Sequence, residues 1–274
     1  SRWGTNIAHV GSISYDKTGN ITAYNVGKTN LTYTHTNNRV DKIKNSANTE
    51  VYHFNYDSRG NVTNNKLRTF SFNRANQLDC SALTHQSACA TGTNRYIYDG
   101  FNRRVKTTDA TGISYSMYSQ DGTLLFKHKD GFDTNYIYLG KKLIARSEDA
   151  FAPQTAGSSR QHNLPFGETV ETPKNDVGYT GHKFDTDLGL SYMQQRYYDP
   201  AVGVFYSPDP VGFTGEVDTF NRYSYVANNP YKYTDPTGEN KSDGEAGAAL
   251  GELIKDIVEN PGDYVPKKAS KSTQ

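Results

Sequence analysis

The pattern Tyr-Asp-x-x-Gly-Asn recurs along the first half of this chain, and a fixed period restricts a sequence to architectures built by stacking like units. Its clearest copies are Tyr15-Asp-Lys-Thr-Gly-Asn-Ile-Thr, Tyr56-Asp-Ser-Arg-Gly-Asn-Val-Thr and Tyr98-Asp-Gly-Phe-Asn-Arg-Arg-Val. Weaker copies start at Tyr33, Phe72, Tyr118 and Tyr136, so the lead aromatics are spaced by 18, 23, 16, 26, 20 and 18 residues. Each unit reads as a strand ending in an aromatic, an Asp/Gly/Asn cluster that turns the chain through positive φ, and a β-branched strand that leaves. A unit of about 20 residues cannot bury its own face, so successive hairpins pair edge to edge into a ribbon.

Composition agrees with a sheet of this kind. Only 34% of the 274 residues are hydrophobic, but 21 Tyr and 12 Phe supply strand formers, many with a polar handle. Thirty basic against twenty-nine acidic residues leave a net charge of +1, which provides no electrostatic footprint for nucleic acid. No apolar run approaches the roughly 20 residues of a membrane span. With no Met before Ser1, the chain is expected to be a piece of something longer.

The longest repeat step contains Cys80 and Cys89, which marks a loop insertion. Eight intervening residues suit a local disulfide and hence an oxidising compartment; two unrelated thiols are the alternative. No second pair of ligands follows at zinc spacing, and the seven histidines are scattered, so no metal and no cofactor is expected.

After an irregular connection over 146–176, three Asp-Pro bonds crowd a Tyr-rich stretch. They lie in Arg196-Tyr-Tyr-Asp-Pro, Asp209-Pro-Val-Gly and Asp235-Pro-Thr-Gly238. In such turns Pro fixes one φ and Gly supplies a positive one. Beyond Gly238 the composition shifts. Ala246, Leu250, Leu253, Ile254 and Ile257 fall at helical spacing, predicting one amphipathic helix over 244–259 before a basic, disordered end.

These repeats resemble the YD repeats of the Rhs family, which includes the toxin-enclosing subunits of insecticidal Tc complexes and, more distantly, teneurins. The Pro165-Phe-Gly-Glu element and the run from Tyr179 to Gly238 are similar to the Rhs-associated core that follows the repeats. The expected fold is all-β: a YD-repeat β-hairpin array over 1–145, the connection over 146–176, the core domain over 177–239, and a linker, helix and tail over 240–274. The resemblance implies part of a β-cocoon, completed by upstream repeats, separate chains or a homo-oligomer, around a toxin or beside a secretion-system component. It also implies a secreted or cell-surface location.

The resemblance further implies an aspartyl autoprotease that cuts just after the second Asp-Pro-x-Gly. Carried over by motif, the carboxyl pair is Asp209 and Asp235, with Arg222 as a charge partner and Gly238 and Glu239 at the cleavage site. Two carboxyls brought close cannot both ionise, so one keeps a proton while the other acts as base towards water. A tethered scissile bond also needs no binding step. The same aspartates could instead simply cap turns. The family pattern carries Leu where this chain has Glu239, and a pocket built for an apolar side chain rejects a charge. The alternative function is therefore a non-catalytic extracellular structural or adhesion module.

Overall fold

The computed structural model describes residues 11–140, 142–147, 151–153, 161–212, 215, 219–239 and 241–243. The helix expected over 244–259 and the tail after it lie outside the described residues.

A five-stranded antiparallel sheet holds β1 (Ser12–Tyr15), β2 (Ile21–Val26), β3 (Thr29–Thr36), β4 (Arg39–Asn45) and β5 (Glu50–His53). An eleven-stranded sheet follows. It begins with β6 (Asn55–Tyr56), β7 (Val62–Asn64), β8 (Arg68–Phe72), β9 (Leu78–Leu83), β10 (Asn94–Tyr98) and β11 (Arg104–Asp109). It continues through β12 (Gly112–Tyr118), β13 (Leu124–Lys129), β14 (Phe132–Leu139), β15 (Lys142–Ser147) and β16 (Phe151–Pro153). Every strand in both sheets pairs with its neighbour in the chain, the order expected of consecutive hairpins.

The ladder parts at Phe54. Its N–H still donates to the Asp41 carbonyl of β4 at 2.8 Å, while its ring is buried edge-on to Tyr206, 5.9 Å between centroids. One residue taken into the core thus divides one ribbon into two sheets.

The repeat motif has a specific physical content. Asp57 Oδ1 accepts the N–H groups of Arg59 and Asn61 at 2.9 and 2.8 Å, and Asp16 and Asp99 do the same for their own turns. The residue before the last turn position has positive φ, served by Gly19, Gly60 and Gly122 and elsewhere by Asn76 and Asn102, whose polar side chains tolerate that region. The pairing register slips at Tyr15, Tyr56, Phe72, Tyr98 and Tyr118, so a bulge sits at the lead aromatic of these five hairpins. In the Tyr33 and Tyr136 units it falls two residues later, at His35 and Tyr138.

Neighbouring units are then stitched together. Asn20 Nδ2 donates to Asn38 Oδ1 at 2.7 Å, Asn61 Nδ2 to Asn76 Oδ1 at 3.0 Å, and Gln77 Nε2 to Asn102 Oδ1 at 2.9 Å. The lead tyrosines reach back to the preceding unit: Tyr56 Oη donates to Val40 O, Tyr98 Oη to Leu78 O and Tyr118 Oη to Arg104 O, at 2.7, 2.8 and 3.1 Å. The recurring Tyr and Asn are therefore bonds between repeats as well as turn formers.

A four-stranded antiparallel sheet, β17 (Lys183–Asp185), β18 (Leu190–Met193), β19 (Arg196–Asp199) and β20 (Val204–Phe205), packs on the ribbon. A last short pair, β21 (Tyr233–Thr234) and β22 (Ser242–Asp243), stands beyond it. One buried cluster joins Tyr24, Ile43, Phe54, Val62, Phe70 and Leu78 of the repeats to Phe166, Leu190, Tyr197, Tyr198, Phe205 and Tyr225. Across this seam Val62 N–H donates to Tyr206 O at 2.8 Å, Tyr223 Oη to Gly60 O at 2.8 Å and Tyr33 Oη to Val202 O at 3.1 Å.

Candidate functional site

The four residues of β19 are all buried, because both faces of this central strand are covered. Its first residue, Arg196, follows a tight turn in which Gln194 has a φ of 57°. The segment Asp235–Gly238 lies on that turn: Gln195 N–H donates to Thr237 O at 3.1 Å, Gln194 Nε2 to Pro236 O at 3.2 Å, and Arg196 Nε to Gly238 O. Gly238 has a φ of 79°, and a Cβ there would run into the Met193 carbonyl oxygen. Close approach of two backbones, together with the turn, requires glycine.

Arg196 brings the two aspartates together. Its Nη2 lies 3.1 Å from Asp209 Oδ2 and 3.3 Å from Asp235 Oδ2, so the two carboxyl oxygens are no further apart than the sum of those lengths. Its Nη1 donates to the Arg222 carbonyl at 3.4 Å, and its guanidinium carbon stands 3.6 Å from the Phe205 ring centroid. A planar guanidinium suits this site, since it forks to two acceptors while stacking on an aromatic face.

The rest of each aspartate is fixed by backbone. Asp235 Oδ1 accepts the N–H groups of Gly238, Glu239 and Thr237 at 2.8, 3.1 and 3.3 Å. Asp209 Oδ1 accepts Val211 N–H at 2.8 Å, and the Asp209 N–H donates to Arg222 O at 2.9 Å. Arg222 meets Asp209 at its backbone carbonyl, to which Nε donates at 3.1 Å and Nη2 donates as well. The cation facing both carboxyls is Arg196. Gly212, unlike Gly238, has no positive φ and open space around it; the Asp209 side chain makes the first turn instead.

Burial pushes the Asp209 carboxyl up, Arg196 opposes this, and the nearby Asp235 adds to the rise. The Glu239 carboxyl is also pushed up, first by burial and then, against the pull of Arg196, by Asp209 and Asp235. Behind Asp235, burial holds His182 down to about 4, so it is neutral at pH 7 and its Nε2–H donates to the Asp235 carbonyl at 2.8 Å.

Arg196 had no role in the sequence reading. It heads the Arg-Tyr-Tyr-Asp-Pro run, but nothing in its spacing separates an arginine that gathers carboxylates from one on a solvated face. Cys80 of β9 and Cys89 of the loop after it form a disulfide with Cα atoms 5.2 Å apart, and Arg95 Nη2 donates to Cys89 O at 2.7 Å. Asp79 lies beside them, but sulfurs joined to each other leave no thiolates for a metal. Among the described residues no helix is long and apolar enough to cross a membrane.

No family model matches the chain. It is 30% identical over 244 residues to the tRNA3(Ser)-specific nuclease WapA of Bacillus spizizenii, covering 83% of this chain and 9% of that protein. It is 39% identical over 89 residues to the probable deoxyribonuclease RhsB of Dickeya dadantii, covering 32% of this chain and 6% of that one. The chain thus spans less than a tenth of the length of these curated relatives. Its fold is similar to the crystal structure of TcdB2-TccC3-TEV, with a TM-score of 0.55, 19% identity, and coverage of 84% of this chain and 13% of that one. A repeat whose Tyr, Asp, Gly and Asn each have a stated structural duty, a core sheet packed on the ribbon those repeats form, and this set of relatives converge: the chain belongs to the Rhs/YD-repeat family.

Proposed function

We propose that this chain is the C-terminal portion of an Rhs/YD-repeat shell, secreted or carried at the cell surface, that encapsulates or presents a C-terminal segment and releases it by aspartyl self-cleavage. Residues 1–145 are the repeat wall, which the end of β15 and β16 extend into the connection over 146–176; 177–239 are the core that seals it, and 240–274 the segment released. The wall is completed by upstream repeats, separate chains or further copies. The observation that carries this reading is the meeting of Asp209 and Asp235 on one nitrogen of Arg196.

Two carboxyls near one cation titrate as a pair, one keeping its proton after the other is lost. The ionised member takes a proton from water as the water oxygen bonds to the carbonyl carbon of Glu239. The protonated member gives its proton to the departing amine of Asn240, and the Glu239–Asn240 bond breaks. The relatives named as nucleases suggest that in longer proteins such a segment precedes or carries a toxic activity.

The test is intact mass after expression. The parent chain should lose its 35 residues beyond Glu239; Asp209→Asn and Asp235→Asn should stay whole. A parent chain that keeps its full mass under every condition removes the catalytic claim.

A second reading rests on a separate observation. Asp235 Oδ1 already accepts three backbone N–H groups, the work of a turn cap. On this reading the core only closes the ribbon of a structural or adhesion module, and the asparagine variants change stability without changing mass.

A further inference from the structure

Glu239 is joined to the aspartate pair through its own backbone, since its N–H is one of the three accepted by Asp235 Oδ1. The single cation at the centre has little to spare for it. A guanidinium has five N–H donors; in Arg196 Nε serves Gly238 O, Nη2 donates to Asp235 and pairs with Asp209, and one Nη1 hydrogen serves Arg222 O.

The charged groups bearing on the half-buried Glu239 carboxyl are Arg196 from β19, Asp209 from the loop after β20, and Asp235 from its own turn. Of the other charged or titratable side chains close by, Arg222 is engaged at the Asp209 carbonyl, Lys241 stands 5.2 Å from the Tyr233 ring, and His182 is neutral. Among the described residues Arg196 is thus the cation that Glu239 shares with both aspartates, while Arg222 draws on Asp209 alone.

We infer that Glu239 is a proton-operated gate on cleavage at its own carbonyl, closed when its side chain is ionised and open when that side chain carries a proton. This deepens the self-cleavage reading and rests on it. Attack by water places negative charge on the Glu239 carbonyl oxygen, and an ionised carboxylate on the same residue, with no unshared cation, opposes that charge. Burial and the two aspartates hold the Glu239 carboxyl above its ordinary range, so the gate opens at mildly acidic pH.

The experiment follows intact mass over time for the full chain and for Glu239→Gln, Glu239→Leu and Asp235→Asn, each at pH 5 and pH 7.5. The gate predicts that the parent chain is cut at pH 5 and falls about tenfold in rate per pH unit above the Glu239 pKa. Glu239→Gln, which removes only the charge, should be cut at pH 7.5 at least as fast as the parent at pH 5. Asp235→Asn should stay whole. If the parent and Glu239→Gln are cut alike at both pH values, the gate is wrong and self-cleavage stands. If Glu239→Leu alone is cut, side-chain polarity rather than charge is decisive and the gate again fails. If no variant is cut at either pH, the gate and the self-cleavage reading fall together.

Discussion

Arg104 and Asp185 form a buried two-pronged ion pair, Nη1 to Oδ2 at 2.5 Å and Nη2 to Oδ1 at 3.1 Å, that ties β11 of the ribbon to β17 of the core sheet. The pair is well supported. Arg104 Nη1 also donates to Tyr197 Oη at 2.8 Å, its guanidinium carbon is 4.5 Å from the Tyr192 ring centroid, and Lys183 Nζ stands 2.9 Å from Asp185 Oδ1. Removing Arg104 leaves the buried Asp185 carboxylate with Lys183 as its remaining cation, so Arg104→Leu should lower stability by up to about 3–5 kcal/mol. Replacing both, as Arg104→Leu with Asp185→Leu, should recover only part of that, because it leaves the buried Lys183 ammonium without its carboxylate. Urea denaturation of the three proteins checks it, and additive losses in the double variant would count against the pair. The pH dependence follows in sign: burial raises the Asp185 carboxyl, but Arg104 and Lys183 outweigh it and hold it below the usual range. Its contribution is present above about pH 4 and is lost as pH falls through the folded-state value.

Asp199 should give the opposite slope. It is buried, and burial pushes its carboxyl up to about 7, although Tyr206 Oη donates to Oδ2 at 2.8 Å and Ala201 N–H to Oδ1 at 3.0 Å. Between about pH 4, where an unfolded aspartate loses its proton, and pH 7, the folded chain binds one proton more than the unfolded one. Stability should therefore decline as pH rises through that window, by at most about 1.4 kcal/mol per pH unit. Asp199→Asn should flatten the decline, and an unchanged slope in that variant would exclude Asp199 as its source.

The lead tyrosines should matter through their hydroxyls as well as their rings. Tyr98 Oη donates to Leu78 O at 2.8 Å in a half-buried setting, so Tyr98→Phe leaves that carbonyl short of a donor and should cost about 1 kcal/mol. Tyr115 is exposed on the outer face of β12, and Tyr115→Phe should change stability by less than about 0.5 kcal/mol. Thermal denaturation of the two variants side by side decides; equal shifts would mean that the bond between repeats contributes nothing.

Much of the ribbon was legible in the sequence because its turns are local. Asp16, Gly19 and Asn20 act on one another within five residues, so their chemistry repeats wherever the letters repeat. The same locality explains why Asn20-Ile-Thr and Asn61-Val-Thr imitate glycosylation sequons: both asparagines are buried in the turn network. What the letters could not give is non-local. The two sheets part at Phe54, whose ring packs edge-on to Tyr206, a core residue far along the chain. Arg196 meets two aspartates that follow it by 13 and 39 residues, and only the packing of β19 against two separate loops brings them within reach. Arg222, nearer to Asp209 in sequence than Arg196 is to Asp235, donates to the Asp209 backbone carbonyl while its charge also draws the Asp209 carboxyl down.

The two Asp-Pro-x-Gly turns look alike as sequence but should respond differently to the same substitution. Gly238 has a φ of 79°, and its Cα faces the Met193 carbonyl; Gly212 has an ordinary φ and open space where a Cβ would go. Gly238→Ala forces the turn off the β18–β19 hairpin, which breaks the bond from Gln195 N–H to Thr237 O and the bond from Arg196 Nε to Gly238 O. Asp235 is then withdrawn from a guanidinium that remains buried, so the loss should reach about 2–4 kcal/mol. Gly212→Ala should stay within about 0.5 kcal/mol of the parent. If the chain cuts itself, Gly238→Ala should also abolish the mass loss while Gly212→Ala retains it, because only the first moves Asp235 relative to Asp209. Comparable stability for the two alanine variants would show that Asp235 is positioned by something other than the contact between Gly238 and Met193.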